Sequence, residues 1–517
     1  MKEESSAKAI RTIGLMAVII FFAKILGLLR EVLIAGVYGQ GYVSDILNTS
    51  TQIPLLFFDM TLGVAILSTF VPVFNQCLEK GGKQNAMHFA NNFMSVTVLL
   101  AVVFSAIGII FAEHIVRLMV PGYNPEKIAE TAKLLRILFP SIIFTTAAYT
   151  SVGILQSFGE FNIPSIISVV SNLIMILYLL IFGNRFGVVG VIVSMVLAWA
   201  SQLFVQIPYL TKFGYRYAPR FDFKDKNLVS AAKLAVPVLV SSWVQPLCVV
   251  INMAFGSSLG DGAVSGLNWA NKIYIIMVGI FAYAVTNFIF PKLSRLNAGE
   301  DSHAFSRTTQ TSVAWVVVII AFVSAMFIAL NRPIIQVVFE RGAFTADDTS
   351  LTARALMFYS VGMIGYAICE ILNKSFYAVQ DGKTPMITSM MGVLVNFAAA
   401  FVFVKALDMG VGGLALASAT GSVVMAIFLI LAMNRQKPGT FGKGFAINLA
   451  KVIAAGVISA LAAWCVFEMV DGIGPGTVWA LAKLCIAGLP AFLLYIAVLV
   501  ILKADEIKQI RRLTHEK

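Results

Sequence analysis

Apolar runs of about 20 residues, separated by short polar connections, recur along the whole chain. A helix of that length crosses a hydrocarbon core of ~30 Å. The apolar residues do not alternate as they would in a membrane β-barrel. Of the 517 residues, 59% are hydrophobic and 12% are charged. That charged fraction is about half the usual one for a soluble domain. Helices are predicted near 10–38, 44–78, 88–112, 128–155, 163–182, 186–210, 227–256, 264–291, 308–330, 350–377, 385–404, 410–433, 446–467 and 477–502. The first run is read as a span, not a cleaved leader, because it is long and similar spans follow it. The fold class is therefore an all-α polytopic membrane protein with about 14 transmembrane helices.

Several function classes drop out. The five cysteines (Cys77, Cys248, Cys369, Cys465 and Cys485) form no CxxC pair and are expected to be thiols packed in the core. The four histidines are scattered, and neither HExxH nor a phosphate-binding GxxxxGK[ST] loop is present. Nothing points to an enzyme or to a self-contained ATP-driven pump.

Lysine and arginine set the orientation. With the N-terminus in the cytoplasm, cytoplasmic segments carry 22 basic residues and the opposite side carries six: Arg117, Lys127, Arg185, Arg332, Arg341 and Lys405. Both termini are then cytoplasmic. The asymmetry accounts for most of the net charge of +12, so the basic balance reads as topology and not as a nucleic-acid site. The longest connection, TKFGYRYAPRFDFKDK (211–226), is basic and aromatic and falls after the sixth helix.

The two sides of that connection echo each other. VAILSTFVPVF (64–74) matches YAVTNFIFPKL (283–293), with Pro72 and Pro291 219 residues apart. Gly122 and Gly342 are 220 apart, and Pro164 and Pro385 are 221 apart. GVVGVIVSM (187–195) and GVGGLALAS (410–418) are 223 apart. Four matches in order at a nearly constant offset indicate duplication. Six helices per repeat make the repeats parallel, with alternating access by rocking of one lobe against the other. The predicted organisation is a six-helix lobe (1–210), a cytoplasmic basic linker (211–226), a second six-helix lobe (227–434), and two extra helices with a tail (435–517).

Charges inside the spans are the candidate site. A charge at mid-membrane costs at least ~2.5 kcal/mol and normally faces a bundle interior or a wet cavity. Lys24 lies near mid-depth of the first helix, and Lys272 roughly 12 Å into the eighth. Lys24 and Glu31 share a helix face, and Arg30 points elsewhere unless the helix bends near Gly27. Asp45 opens the second span and Asp59 lies near its middle. Internal ion pairing explains part of this set. Lys24, Arg30 and Lys272 exceed what pairing requires, which suits an anionic substrate.

AKILGLLREVLIAGVYG (23–39), then Asp45, then IPLLFFDMTLGVAILSTFVPVF (53–74), resembles the start of MurJ (MviN) proteins. GAFTADDTSLTARALMFYSVGMIGYAICEILNKSFYAVQDGKTP (342–385) is similar to their later signature. The resemblance spans essentially the whole chain. It implies a lipid II flippase of the multidrug/oligosaccharidyl-lipid/polysaccharide exporter superfamily, with two six-helix lobes around a cationic cavity. It also implies a lipid-open groove at the last two helices for the isoprenoid tail. Under it, Lys24 and Lys272 stand where the family commonly has essential arginines. Arg30 and Glu31 match an Arg-Asp pair, and Asp45 matches an acidic residue opening the second helix. These residues are the implied site for the substrate's diphosphate. Lysine keeps the charge but lacks the bidentate fork of arginine.

The family often has two arginines where this chain has Phe58 and Asp59, and an acidic residue where it has Gly63. Asp59 is expected either to pair with Lys24 or another cation, or to stay protonated and take part in coupling. Another lipid-linked oligosaccharide, or a soluble amphiphile exported by a cation-coupled carrier on the same fold, stays open as substrate. Asn373, Asp381 and Asn396 form a candidate cation site, with Na⁺ or the membrane potential as energy source; turn and capping chemistry is the competing explanation. No other cofactor is expected. Membrane lipids and cell-wall synthesis proteins are candidate partners, and the bacterial cytoplasmic membrane is the expected location.

Overall fold

A computed structural model describes residues 2–507, less 64, 65, 300, 471, 473 and 475. Side chains are described from residue 14 onward, apart from 17, 67, 236–238, 240–242, 244, 245, 283, 284, 287, 288, 291 and 477. The basic tail residues Lys508, Arg511, Arg512 and Lys517, and the side chains of Lys2, Lys8, Arg11 and Pro291, lie outside the described residues.

Among the described residues the chain is helical throughout, and nine stretches are long and apolar enough to cross a membrane. Two bent helix pairs bring the number to 11. One stretch, Tyr42–Ile110, holds two crossings, because the helix breaks at Gly82 (φ 69°, ψ −179°). A side chain there would meet the left-handed backbone penalty that glycine avoids. Lys2–Tyr38 and the Lys226–Ser242/Val244–Gly256 pair complete the set predicted from the sequence.

The chain forms two compact units, Met1–Val264 and Ser265–Lys517. Each repeats the same irregularities. In the first, Pro125–Leu138 and Ser141–Ser157 meet at 40°. In the second, Ala346–Val361 and Met363–Ala378 meet at 50°. The causes differ: Pro140 cannot donate to the helix ladder in the first, and Gly362 occupies the break in the second. Gly187 (φ 60°) and Gly410 (φ 58°) open equivalent helices with the same left-handed residue. Short helices at Ala112–Met119 and Asn331–Phe339 also correspond.

In the first unit, Phe70 stacks on Phe74 (5.4 Å) and Phe89 (5.6 Å) and tilts against Phe93 (5.0 Å). These rings hold the strands of helix on either side of Gly82 together. Large apolar side chains such as Leu180, Leu197, Leu394, Leu461 and Leu489 are exposed, as lipid contact requires. Span hydroxyls return to their own helix: Thr146 Oγ1 donates to Ile142 O (2.7 Å), and Ser459 Oγ to Ala455 O (2.8 Å). All five cysteines are free, but the expectation of core packing holds only in part. Cys77 and Cys369 are buried, whereas Cys465 and Cys485 are exposed on the last two helices.

Close helix contact in the second unit depends on missing side chains. A Cβ at Gly362 would come within 2.5 Å of Ala419 Cα, and one at Gly365 within 2.9 Å of Val423 Cα. Small residues allow such approach between membrane helices. Gly362→Val should therefore destabilise the purified protein by about 1–3 kcal/mol, the usual overpacking range. Leu394→Ala, on the exposed surface, should not. Equal thermal unfolding of both variants would refute the close approach.

Candidate functional site

Lys24 is half-buried on the Lys2–Tyr38 helix and makes no ion pair or side-chain hydrogen bond among the described residues. The helix runs on through Gly27 without a break. Arg30 nevertheless meets its neighbour: Nη2 lies 2.7 Å from Glu31 Oε1, and Glu31 is buried. Adjacent helical residues do not normally face each other. The pair closes within an unbroken helix, so Arg30 does not point away from Glu31. Asn172 holds the other side of the guanidinium, its Oδ1 accepting from Arg30 Nη1 (3.0 Å) while its Nδ2 donates to Ala23 O (3.3 Å). Arg30 Nε is buried with no partner.

Asp45 belongs to a different assembly. Its side chain is 0% exposed, and Oδ2 accepts from Lys127 Nζ (2.9 Å) and from the backbone N–H of Gly262 (2.9 Å). Lys127 Nζ also reaches Asp261 Oδ1 at 2.7 Å. The ammonium lies 4.1 Å from the ring centre of Tyr123 and 5.1 Å from that of Tyr42, within the range of cation–π attraction. Gln40 Nε2 donates to Gly262 O (2.7 Å), and Gly122 N donates to Ser257 Oγ (3.0 Å). Three connections, 39–41, 120–124 and 257–262, are thus fastened at one end of the first unit. Lys127, read from the sequence as a loop charge, is buried.

Asp59 opens a π-helical stretch, Asp59–Gly63, and a second follows at Ile66–Phe70. Such bulges recur at functional sites. Trp243 Nε1 donates to Met60 O (2.7 Å) within the first of them. The Asp59 side chain is exposed, and no ion pair with Lys24 or another described residue forms. The pairing expectation is therefore corrected. Phe58 is buried against Tyr149 (5.3 Å between rings), and a Cβ at Gly63 would come within 2.8 Å of the Phe58 ring. The aromatic ring occupies the space that a side chain at position 63 would need.

In the second unit Lys272 is half-buried on Ala263–Ala298, between the fully buried Trp269 and the buried Tyr274. Tyr274 lies between Tyr359 (5.7 Å) and Tyr366 (5.6 Å). Asn373 Oδ1 and Asn396 Oδ1 are buried without hydrogen-bond partners. Asp381 has a capping role: Oδ1 accepts from Thr384 N (2.9 Å), and Oδ2 from Thr384 Oγ1 (2.6 Å) and Gln436 Nε2. Burial would raise its carboxyl pKa, but these hydrogen bonds outweigh that and hold it below the ordinary carboxylate value. Among the described residues no cluster of three His, Cys, Asp or Glu could hold a metal ion.

The second unit also holds an apolar cavity of about 590 Å³. Ala321, Ala325, Val361, Ile364, Gly456 and Ala460 line it. Its polar groups are occupied, Ser324 Oγ by Ser360 O (2.7 Å) and Asn331 Nδ2 by Ile328 O (2.7 Å). The small residues of Lys443–Val470 form one wall. Thr477–Ile501 contributes no lining residue, so only one of the two extra helices walls this cavity.

Breaking a buried ion pair from one side leaves an uncompensated charge, at a cost of about 3–5 kcal/mol. Lys127→Met should destabilise the protein by that order. Asp45→Asn combined with Lys127→Met should recover part of the loss. Thermal unfolding of the single and double variants measures this, and an unchanged single variant would remove the fastening role.

The sequence pattern described as lipid II flippase MurJ matches residues 34–480. The lipid II flippase MurJ of Burkholderia cenocepacia is 26% identical over 458 residues, 86% of this chain and 87% of the relative. The probable lipid II flippase MurJ of Haemophilus influenzae is 24% identical over 459 residues, 86% and 89% of the two chains. A solved structure of a lipid II flippase MurJ in an inward closed conformation superposes with a TM-score of 0.77 at 23% identity, covering 95% of this chain and 99% of that one. An inward-facing multidrug transporter of the MATE family, in the MOP superfamily, shares the fold with a TM-score of 0.68 at 15% identity, covering 81% and 95%. The chain belongs to the lipid II flippase MurJ family.

Proposed function

We propose that this protein carries lipid II, the undecaprenyl-diphosphate-linked precursor of peptidoglycan, from the inner to the outer leaflet of the bacterial cytoplasmic membrane by alternating access. The observation that carries this reading is Lys24. A cation within a span, with no carboxylate partner among the described residues, is available to an anionic group. Arg30 supports it with an unsatisfied buried Nε, and Lys272 supplies a further cation from the second unit. Glu31 and Asn172 orient Arg30.

The proposed organisation keeps six-helix lobes at 1–210 and 227–434, the linker at 211–226 on the cytoplasmic side, helices 13 and 14 with the tail at 435–517, and both termini in the cytoplasm. Asp45 acts by holding the connections of the first lobe in place. Coupling to Na⁺ or to the membrane potential draws on Asn373 and Asn396, whose buried carbonyl oxygens accept no protein hydrogen bond. Asp381 serves as the helix cap. The apolar cavity beside Lys443–Val470 receives part of the isoprenoid tail, since leaving that tail in a polar site costs about 0.8 kcal/mol per CH₂.

Two predictions test this reading. A hydrogen bond to a charged group contributes about 1.5–3 kcal/mol, so Lys24→Ala, Arg30→Ala or Lys272→Ala should each slow flipping at least about tenfold. Lys24→Arg and Lys272→Arg should keep activity. Growth of a flippase-depleted cell, with membrane insertion verified, is the readout. Rescue by the triple alanine variant would sink the headgroup assignment. Gly456→Leu with Ala460→Leu should fill the apolar cavity and slow transport of the long-chain substrate while a short-chain analogue still moves. Equal loss for both chain lengths would detach the cavity from the tail.

A further inference from the structure

The connection 211–226 is fastened along a membrane-spanning helix in an extended path. Asn92 Oδ1 accepts from Asp222 N (2.8 Å) and Asn92 Nδ2 donates to Asp222 O (2.8 Å). Ser95 Oγ accepts from Arg220 N (3.0 Å) and shares a hydrogen bond with the Tyr217 hydroxyl (3.1 Å). Asn91 Oδ1 accepts from Ala218 N (3.2 Å). From Gly82 to Ile110 the helix is roughly 40 Å long, more than a ~30 Å hydrocarbon core requires. Its first turns, GGKQNAMHFANN (81–92), are polar. The strap's contacts fall on Asn91, Asn92 and Ser95, where these polar turns give way to the apolar run that starts at Phe93. A polar-to-apolar change of this kind on a spanning helix marks the membrane interface.

Its outward side combines two chemistries. Tyr217, Phe221 and Phe223 are 50%, 54% and 60% exposed. Arg216, Arg220, Lys224 and Lys226 alternate with them and are also exposed. Asp222 Oδ2 lies 4.0 Å from Arg220 Nη2, and Arg220 Nη1 meets His88 Nδ1 (2.9 Å), so that cation is already engaged within the protein. Asp222 Oδ1 accepts from Lys224 N (3.1 Å), and Asp225 Oδ1 accepts from Asn227 N (2.9 Å). A water-facing connection gains nothing from three exposed rings, whereas aromatic residues favour the membrane interface and cations favour an anionic leaflet.

We propose that the 211–226 strap is a docking surface for anionic phospholipid headgroups, with Phe221 and Phe223 seated at the level of the glycerol backbone and Arg216, Lys224 and Lys226 on the phosphates. This contact stands apart from the transport reading, because it needs no transported substrate. The strap joins two spans, so the leaflet's charge sets how firmly their ends are held.

Hydrogen–deuterium exchange of the full chain in phosphatidylcholine nanodiscs, with and without about one-third phosphatidylglycerol, tests this. Each Lys or Arg near such a surface contributes about a fivefold factor to association. Exchange across 211–226 should slow at least about tenfold with phosphatidylglycerol. The slowing should vanish at about 1 M salt, where the Debye length is ~3 Å. It should also vanish when Arg216, Lys224 and Lys226 are all changed to Gln. The salt arm uses the unaltered protein, so misfolding of the variant cannot mimic the result. Equal exchange in the two lipid compositions overturns the proposal. So does slowing that survives both salt and the Gln changes. Protection absent from phosphatidylglycerol nanodiscs but present in native membrane vesicles would overturn it in favour of a protein partner.

Discussion

A polar group in hydrocarbon has no water to turn to, so its partner must come from the protein. Much of this structure follows from that constraint. Serine and threonine hydroxyls donate to carbonyls one turn earlier. Glu31 is buried against Arg30, and Asp45 is enclosed by Lys127 and a backbone N–H. Against this background, side chains that lack a partner stand out as candidates for function. Lys24, Arg30 Nε, Asn373 Oδ1 and Asn396 Oδ1 are such groups among the described residues. Asn162 Oδ1 and Gln206 Oε1 in the first unit and Thr309 Oγ1 in the second are unpartnered as well, so a missing partner marks a candidate without assigning its ligand.

The fastening around Lys127 follows from the same constraint. A cation in the first turn of a helix faces the positive end of the helix dipole. Lys127 sits in that turn, behind the cap formed by Asn124. Two carboxylates and two aromatic rings offset the unfavourable position. Asp261 is 60% exposed at its side chain, so the assembly is buried at its Asp45 end and open at the other. It fixes the ends of several spans without occupying their middle.

What the sequence made legible was the periodic and the repeated. The length of the apolar runs gave the spans, and the offset between Gly187 and Gly410 anticipated two equivalent backbone conformations. The bend at Phe139–Pro140 has a local cause, whereas the one at Gly362 depends on contact with Ala419. Asp381, three residues before Thr384, carried the spacing of a cap. Charge partners were less legible, because they come from far along the chain. Lys127 is 82 residues from Asp45, and Asn172 is 142 from Arg30. One local signal did exist: a lysine in a first helical turn calls for nearby carboxylates.

The charge of the first two spans bears directly on substrate selection. Lys24 and Arg30 are opposed in number by Glu31 and Asp59, so with all four ionised the middle of these spans has no surplus positive charge. Net attraction therefore cannot distinguish a diphosphate here; arrangement must. Arg30 is already held by Glu31 and Asn172, which lowers the gain from binding a further anion. Asp59 projects from a π-helical turn, and Phe58 packs over Gly63 where the family resemblance would place opposite charges. Apolar contact stands there instead of charge, a change that is often neutral or stabilising in a buried site. It also removes a cation from the region. Among the described residues Lys24 is the cation of these spans that makes no ion pair, and a lysine offers a point charge without a fixed donor fork. Under the proposed function, recognition centred on it would tolerate variation in phosphate orientation. In that reading the rigid discrimination that the family's arginines would give falls to the packed groups around Arg30, where Glu31 and Asn172 fix the guanidinium.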